Sequence, residues 1–325
     1  MYDCIAIGEI LVDFISDQKN DQGYPILNGN PGGGPPNFIV ACQKLGLKTA
    51  LIAKVGNDMF GHLLRETMAN YGVDDESVVI DDQHFTTLAF VSLAEDGERT
   101  FSFARKQSAD LMLDKSDLPL EKLRQTRALH FSSLSLVAEP AYAATLEAIR
   151  VARRAGAHIH FDPNYRPSLW QSSSAARSRI GEALAYCQIL KISEYELAFL
   201  LDCEALEDVA EIERAANALL QRHPNIKLMH VTMGAAGVVV LTDKEHIYHA
   251  AQKVAVVDTT GAGDAYGAAA LGKVLMLNKG LDLTSDDLLE IAQFASCAAG
   301  LSVQSYGGIP SSATLSEINT ELNHK

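Results

Sequence analysis

A short glycine turn near residue 260 combines a candidate anion site with a candidate proton acceptor. Gly261, Ala262 and Gly263 separate an apolar run from a helical pattern over about 265–278, and Asp264 opens that helix. Glycines let neighbouring backbone N–H groups face one point, and the helix dipole adds to their attraction for a phosphoryl oxygen. A carboxylate beside that point can accept the proton of an attacking hydroxyl. The alternative is an ordinary turn in which Asp264 merely caps the helix.

A second glycine run lies near the start of the chain, at residues 32–34, and precedes a predicted helix over about 38–45. Consecutive glycines allow the backbone to approach a ligand closely, and Asn37 could donate to a ligand hydroxyl. The alternative is a flexible loop with an Asn cap. Upstream, Asp13 follows an apolar strand and is expected at the carboxyl edge of a sheet, where open α/β sheets bind ligands, unless it is a solvated strand end.

The elements that must position these residues alternate between strand and helix. Typical helical patterns span 60–71, 141–155, 175–186 and 209–220, and Gly72 and Gly156 close the first two. Runs that are apolar on both sides predict buried parallel strands at Cys4–Val12, Thr49–Val55, Ala128–Leu134, Ala157–Asp162, Ile189–Ile192, Leu228–Thr232 and Val254–Val257. The pattern predicts an α/β protein with a mostly parallel central sheet and helices on both faces.

Two hairpins interrupt this alternation. Strands predicted at 87–93 and 99–104 flank the turn signal Glu95-Asp96-Gly97-Glu98, and we expect this antiparallel pair to stand off the main sheet. A second hairpin joins 238–241 to 246–249. Phe101 and Phe103 lie two positions apart, which indicates packing within the hairpin. One of them, with Phe103 as the candidate, could also line a site beneath a lid.

Composition limits the class of protein. The chain has 325 residues, 47% of them hydrophobic and 21% charged, which is typical of a folded globular protein. A net charge of −14 argues against nucleic acid or an anionic membrane as partner. Five scattered cysteines, no basic leader and an apolar stretch over 265–277 that Lys273 interrupts predict a cytoplasmic protein without a membrane span.

In two motifs the chain resembles the ribokinase-like, phosphofructokinase-B-type family of sugar kinases. These are the early Gly32-Gly33-Gly34-Pro35-Pro36-Asn37 and the late Asp258-Thr259-Thr260-Gly261-Ala262-Gly263-Asp264. The likeness continues through 54–61 and 232–237 and is greatest to the fructokinase subfamily, judged by Asp162-Pro163-Asn164-Tyr165-Arg166 and Lys191-Ile192-Ser193-Glu194-Tyr195-Glu196. The resemblance implies a single ribokinase-like domain over 1–325 with a lid formed by about 14–31 and 86–105.

The resemblance also implies an activity and a set of site residues. The expected reaction is ATP-dependent phosphorylation of a sugar hydroxymethyl group, with Asp264 as base and the turn at Gly261, Ala262 and Gly263 as anion hole. Positions that match the sugar site of the family are Asp13, Gly33, Gly34, Asn37, Phe103, Arg105 and Arg166. Positions that match the nucleotide side are Lys191, Ser193, Glu196, Thr232, Gly234 and Gly237, with Glu196 linked to magnesium through water.

The implied cofactors are Mg²⁺ with ATP and, beside the anion hole, K⁺. Positions that match the monovalent cation site of the family are Asp258, Thr260, Ser302, Ser305, Gly307 and Ser311. The implied partners are a small sugar and ATP, without nucleic acid or membrane, and a second copy paired through the lid. Fructose is the expected sugar. A 2-keto-3-deoxygluconate kinase or a ribose or riboside kinase is the alternative, because Arg105 and Arg166 could also hold a carboxylate.

Some features depart from the family or allow another interpretation. Gly34 and Pro36 stand where fructokinases usually have alanine, Ala104 replaces an aromatic residue, and Tyr266-Gly267-Ala268 replaces Phe-Val-Ala. His158 and His160 alternate in a strand, which favours core packing over metal binding. A non-catalytic sugar-binding sensor on the same scaffold is the non-enzyme alternative, and the intact Asp264 argues against it.

Overall fold

A nine-stranded sheet forms the centre of the computed structural model, which describes residues 1–93 and 99–324. Seven neighbouring strands of this sheet run parallel, and a hairpin adds two antiparallel strands at one edge. In spatial order the strands are β13 (His246–His249), β12 (Val238–Leu241), β11 (Leu228–Thr232), β10 (Ile189–Ser193), β9 (His158–Asp162), β8 (Thr126–Ser132), β1 (Tyr2–Ile7), β4 (Thr49–Gly56) and β5 (Val78–Asp81).

Helices cover both faces of this sheet and enclose two apolar cores. Phe38, Leu64 and Ala268 belong to one core, whereas Ile149 and Ile180 belong to the other. The helices are α1 (Gly34–Lys44), α2 (Met59–Asn70), α3 (Leu120–Arg124), α4 (Ala141–Arg154), α5 (Ser173–Leu184), α6 (Glu194–Leu201), α7 (Val209–Arg222), α8 (Ala262–Leu277), α9 (Ser285–Ser302), α10 (Gly308–Ser311) and α11 (Leu315–Asn323). The predicted α/β class is confirmed.

Within 1–93 and 99–324, none of the helices has the length and apolarity that a bilayer crossing needs.

A second, four-stranded sheet stands apart from the first. Its strands, in spatial order, are β3 (Pro25–Gly32), β2 (Leu11–Lys19), β6 (Leu88–Leu93) and β7 (Arg99–Ala104). The pair β6–β7 is antiparallel, as the sequence predicts, while its proposed turn at Glu95–Glu98 lies outside the described residues. The stacked rings of Phe14 and Phe90, with centroids 5.6 Å apart, join β2 to β6.

The predicted strand Cys4–Val12 is two strands that belong to different sheets. Strand β1 ends at Ile7, and the chain turns at Gly8, whose φ of +149° suits glycine, before β2 begins at Leu11. A Cβ on Gly8 would lie 2.8 Å from Cγ of Pro35, so the close approach of α1 also requires glycine there. Asp13 therefore lies within the four-stranded sheet and not at the end of a strand of the main sheet.

The predicted strand at Val254–Val257 is wrong. This segment has no regular structure, and the N–H of Val257 donates to the carbonyl of Val303 at the end of α9. Its apolar side chains face outward, with Val256 61% and Val257 45% exposed. Apolar composition alone therefore does not distinguish a buried strand from an exposed irregular segment that lies beside a helix end.

Two helices begin earlier than the sequence indicates. Helix α1 starts at Gly34 because proline is tolerated in a first helical turn, where its missing N–H has no partner to lose. Asn37 is consequently a helical residue with Gly33 as the cap, and the Asn-cap alternative is wrong. Helix α8 starts at Ala262, after Gly261 in a left-handed conformation with φ of +76°.

The central strands carry buried histidines beneath α1 and α8. His160 is fully buried, and its Nδ1 lies 2.8 Å from Nδ1 of His130. Nδ1 of His230 lies 2.9 Å from the hydroxyl of Tyr266 on α8, which accounts for the tyrosine that departs from the family pattern. The prediction that His160 packs in the core is confirmed by its burial.

The cap of α2 provides a test of how the two sheets are joined. Asp58 accepts hydrogen bonds from the N–H groups of Phe60 and Gly61, and from both the N–H and hydroxyl of Thr86 just before β6. We expect Asp58→Ala to lower the free energy of unfolding by about 2 kcal/mol or more, because it removes a helix cap and leaves donors of Thr86 without a partner. Urea unfolding measures this change. The exposed Asp21→Ala is the control, and an equal effect of both variants would contradict the role of Asp58.

Candidate active site

A cavity of about 370 Å³ opens at the carboxyl ends of the parallel strands. The four-stranded sheet contributes Leu11, Asp13 and Phe103 to its wall, and the starts of α1 and α8 contribute further residues. Sequence-predicted residues that line it are Asp13, Gly33, Gly34, Asn37, Phe103, Arg166, Lys191, Ser193, Glu196, Thr260, Gly261, Gly263 and Asp264. The fold therefore brings residues from both ends of the chain to one cavity.

Asp264 lies in the first turn of α8 and is only 9% exposed. Its Oδ2 accepts a hydrogen bond of 2.9 Å from Nδ2 of Asn37, and its Oδ1 lies 3.5 Å from Nδ2 of Asn164. Burial, and to a smaller extent the neighbouring carboxylate of Asp162, raise the pKa of Asp264 to about 7 against the opposing effects of Asn37, Lys191 and Arg166. A carboxyl group with a pKa near neutrality suits a general base.

The amide of Asn37 can lie next to Asp264 because Gly308, which packs against that amide, has no side chain. A Cβ on Gly308 would come within 2.7 Å of the amide of Asn37, so α10 can pack there only with glycine at its start. Oδ1 of Asn37 is buried, and no protein atom of the described residues hydrogen-bonds to it. The amide thus holds the carboxylate with one end and presents an acceptor at the other.

The glycine turn contributes fewer outward N–H groups than its sequence indicates. Gly261 and Gly263 line the cavity, whereas the N–H of Ala262 donates to the carbonyl of Thr259 over 3.2 Å. The turn Thr259–Ala262 closes on itself as the helix begins, so we correct the predicted set of three amides to two. A Cβ on Gly261 would lie 2.8 Å from Cα of Gly308, which explains why this position has no side chain.

Asp13 and Arg166 both line the cavity. Burial raises the pKa of Asp13 to about 6, and the charge of Arg166 opposes that rise. A Cβ on Gly32 would come within 2.2 Å of Oδ2 of Asp13, so the partner strand leaves space for the carboxylate. One guanidinium nitrogen of Arg166 donates to the carbonyl of Tyr165, which holds the side chain at the cavity edge.

Arg105 occupies a different place from the one that its sequence context suggests. It does not line the cavity, and its Nε and Nη2 both donate to Oδ2 of Asp110, at 2.8 and 2.6 Å. Nη2 also donates to the carbonyl of Leu134, a residue of the cavity wall. Because this buried pair uses most of its donors, Arg105 supports the wall from behind.

The sequence interpretation missed six residues of this cavity, among them the polar Glu9, Asp162 and Asn164. Glu9 is 1% exposed, accepts hydrogen bonds from the N–H of Gly34 and the hydroxyl of Ser132, and has a pKa that burial raises to about 7. A lone carboxylate within an apolar run was the signal for Glu9. Asn164 adopts φ of +45°, and the available signal was its place in the segment Asp-Pro-Asn, since Asn tolerates that conformation.

The residues assigned to the nucleotide fall into two groups. Glu196 lies beside Ser193 in a capping box at the start of α6, and its Oε1 accepts from the N–H of Tyr165. Thr232 ends β11, and Gly234 and Gly237 follow in the next turn, outside the cavity. A Cβ on Gly237 would lie 2.2 Å from the carbonyl oxygen of His249, so this turn also depends on glycine.

Two of the residues assigned to a monovalent cation contact the buried carboxylate of a third, Asp258. It accepts hydrogen bonds from the N–H groups of Thr260 and Gly307, at 2.8 and 2.9 Å. The buried hydroxyls of Ser302 and Ser311 donate to helical carbonyls nearby in sequence, and Ser305 is exposed. These oxygens are the donors that hard cations prefer, so the residues fit such an ion.

The titration of Asp264 predicts a pH-dependent stability. An aspartate in an unfolded chain has a pKa of about 3.9, whereas that of folded Asp264 is about 7. Its contribution to stability is therefore complete below the unfolded value and is lost as the pH rises through the folded one. We expect Asp264→Asn to become progressively more stable than the wild type between about pH 4 and pH 7, and then to level off.

Urea unfolding across this pH range tests the expectation. The matched control is Asp243→Asn in the exposed β12–β13 turn, which should show no such rise because that carboxylate stays in water in both states. A stability difference for Asp264→Asn that does not vary with pH would contradict the assigned burial effect.

Proteins with similar sequences include sugar kinases. A family model described as pfkB family carbohydrate kinase matches residues 1–315. A probable fructokinase-3 of Arabidopsis thaliana is 36% identical over 313 residues, covering 95% of this chain and 88% of that protein. Fructokinase-2 of Solanum lycopersicum is 35% identical over 322 residues, covering 98% and 95% of the two chains.

Solved structures share the architecture. A fructokinase from Xylella fastidiosa with bound ATP has a TM-score of 0.89 and 28% identity, covering 100% of this chain and 99% of its own. A Vibrio cholerae fructokinase double mutant with fructose, ADP and potassium has a TM-score of 0.85, 28% identity and 98% coverage of both chains. A putative ribokinase II from E. coli with ATP and magnesium has a TM-score of 0.84, 26% identity and full coverage of both. Together with the match of the family model to nearly every residue, these likenesses show that the chain belongs to the pfkB family of carbohydrate kinases.

Proposed function

We propose that the protein is an ATP-dependent fructokinase that transfers the γ-phosphate of ATP to a hydroxymethyl group of fructose. One observation carries the proposal: the carboxylate of Asp264 is buried at the start of α8, between the glycine turn and the amide of Asn37. This arrangement places a proton acceptor beside an anion site. The relatives named fructokinase and the fructose complex of the Vibrio cholerae protein support the choice of sugar.

In the proposed reaction, the sugar hydroxyl gives its proton to Asp264 as its oxygen attacks the γ-phosphorus. A new bond forms between that oxygen and phosphorus, the bond from phosphorus to the β-phosphate oxygen breaks, and ADP leaves with the electron pair. The N–H groups of Gly261 and Gly263, together with the dipole of α8, stabilise negative charge on the transferring group. No phosphoenzyme is required.

The charges around the cavity favour a neutral sugar over an acidic one. Five carboxylates line it, and they face the cationic side chains of Arg166 and Lys191: those of Glu9, Asp13, Asp162, Glu196 and Asp264. Lys191 and Arg105 are already paired with Asp162 and Asp110. Because an acidic sugar would meet this excess of negative charge, 2-keto-3-deoxygluconate is disfavoured. Ribose, which is also neutral, remains the competing substrate in the assay below.

We propose Mg²⁺ with ATP and K⁺ as the cofactors. Magnesium neutralises phosphate charge when bound, and the buried carboxylate of Glu196, at the cavity wall, fits a water-mediated contact to it. Potassium would be held near the buried carboxylate of Asp258, with the hydroxyls of Ser302 and Ser311 as further candidate oxygen ligands. The potassium complex from Vibrio cholerae and the magnesium complex from E. coli support these assignments. Thr232, Gly234 and Gly237 are proposed to contact the nucleotide.

Other predictions extend from the site to the whole protein. We propose that residues 1–325 form one kinase domain, with the four-stranded sheet as a lid that excludes water from the reaction. A homodimer through that sheet and a cytoplasmic location are part of the same proposal. Exposed apolar side chains of β3, Ile26 and Leu27, support pairing through this sheet.

Asp264→Asn tests the base. We expect turnover to fall by about a thousandfold or more, because the amide cannot accept the proton, while binding of fructose measured by calorimetry is largely retained. The isosteric control Asp243→Asn should keep full activity. Retained turnover in Asp264→Asn would contradict the mechanism.

The sugar is tested by ADP release from fructose, ribose, 2-keto-3-deoxygluconate, glucose and nucleosides. We expect the highest kcat/KM with fructose and the lowest among the sugars with the acidic compound, because of the carboxylates around the cavity. Preference for the acidic sugar would contradict the charge argument but not the kinase assignment.

Gly261→Ala tests the anion hole. The new methyl group would meet Cα of Gly308 at 2.8 Å, so the start of α8 must shift, and we expect kcat to fall by about a hundredfold. Gly156→Ala is the matched control, since Gly156 also has positive φ but nothing lies within 4 Å of the added carbon. It should lower stability by about 1 kcal/mol and leave kcat unchanged. Equal kinetics of the two variants would contradict the role of the turn.

A further inference from the structure

A buried ion pair lies beside Asp264, formed by residues from two adjacent parallel strands. Asp162 ends β9 and Lys191 lies on β10, so both reach the carboxyl edge of the sheet where the cavity opens. Nζ of Lys191 lies 3.0 Å from Oδ2 of Asp162, and the two residues are 7% and 3% exposed. Burying two charges has a high desolvation cost, so their position next to the reacting centre calls for an explanation.

The carboxylate of Asp162 reaches Asp264 through Asn164. Its Oδ1 accepts a 3.1 Å hydrogen bond from the N–H of Asn164, which fixes the left-handed turn at that residue. The amide of Asn164 then lies 3.5 Å from Oδ1 of Asp264. A Cβ on Gly34 would come within 2.7 Å of this amide, so the glycine that departs from the family pattern leaves room for Asn164.

The ammonium group of Lys191 reaches the other side of the same centre. A Cβ on Gly263 would lie 2.7 Å from Nζ, so the absence of a side chain lets the ammonium approach the first turn of α8. The ion pair thus contacts both the residue that touches the base and the turn that carries it.

The charged groups around Asp264 act on it in opposite directions. The carboxylate of Asp162 raises the pKa of Asp264, whereas Lys191 and Arg166 lower it. Around Lys191 itself, the negative charges of Asp162, Glu196 and Asp264 raise the pKa, against the effect of burial. His130 and His160 face Lys191 from the sheet, and burial lowers the pKa of both, so neither adds charge at neutral pH.

We propose that the Asp162–Lys191 pair is a positioning device for Asp264, which orients the base through Asn164 and balances the charge around it. The proposal rests on the role of Asp264 as base in the proposed function. It assigns to Lys191 a task different from the nucleotide contact that the family resemblance implies. A phosphate contact acts mainly on the KM for ATP, whereas a positioning residue acts on kcat and on its pH dependence.

The test compares kcat against pH, at saturating sugar and Mg·ATP, for three variants of the full-length enzyme. We expect Asp162→Asn to move the acid limb of the profile to lower pH and Lys191→Met to move it to higher pH, each by about half a unit or more. The double variant, which lacks both charges, should return the limb close to the wild-type position. The ionisation of ATP affects every profile equally, so it does not change the displacement of the acid limb relative to the wild type.

A second pair of variants separates charge from orientation. Asp162→Asn keeps an oxygen that can accept from the N–H of Asn164, whereas Asp162→Ala does not. We therefore expect the same displacement of the acid limb in both, with a further fall of about tenfold in kcat for the alanine variant alone. Equal kcat values for the two variants would overturn the orienting role.

Other results would overturn the proposal as clearly. Charge balance would be excluded if the acid limb of the kcat profile did not move, or if it moved in the same direction for Asp162→Asn and Lys191→Met. A raised KM for ATP with unchanged pH profiles would instead indicate that Lys191 contacts the nucleotide. If Lys191→Met does not fold, the double variant replaces it, and its limb must lie above that of Asp162→Asn. Because inactivity of Asp264→Asn tests the base alone, failure of this proposal is distinguishable from failure of the proposed function.

Discussion

The cost of burying a carboxylate is the constraint on which this site depends. Asp264 must be buried so that water is kept out of the reaction, yet its carboxyl group must still ionise near neutral pH. The amide of Asn37, the charges of Lys191 and Arg166 and the start of α8 all favour the ionised form, and burial and Asp162 oppose it. A pKa near 7 follows from this balance, and neither a more exposed nor a more isolated aspartate would have it.

The fold meets this constraint by joining distant parts of the chain. Asn37 and Asp264 are separated by 227 positions, yet α1 and α8 lie side by side on one face of the sheet with their starts at the same edge. Parallel strands bring Asp162 and Lys191 to that edge as well. Close approach then depends on glycines at Gly261, Gly263 and Gly308, where a single added carbon would meet backbone, an ammonium group or an amide.

The sequence was informative where local patterns determine structure and less so where long-range packing does. The alternation of strands and helices, the β6–β7 hairpin and the glycine turn with Asp264 were all predictable, because each is encoded within a few residues. The lone carboxylate of Glu9 stands out in its apolar run, but its place in the cavity depends on a break between two sheets at Gly8. The pairing of Arg105 with Asp110 depends on how the chain folds after β7. The sequence pattern alone determines neither position. The strand prediction for 254–257 was wrong because long-range packing leaves most of its apolar side chains exposed, which composition does not indicate.

The split of the first predicted strand has a consequence for ligand recognition. Because β2 belongs to the four-stranded sheet, Asp13 reaches the cavity from that sheet, whereas Asp264 reaches it from a helix packed on the nine-stranded sheet. A ligand bonded to both carboxylates therefore ties the two sheets together. By linkage, such a ligand favours the mutual orientation of the sheets that satisfies both contacts, and that orientation in turn raises the affinity for the ligand. Molecular length therefore contributes to selection, because a polyol too short to reach both carboxylates bonds to one of them and does not draw the two sheets together.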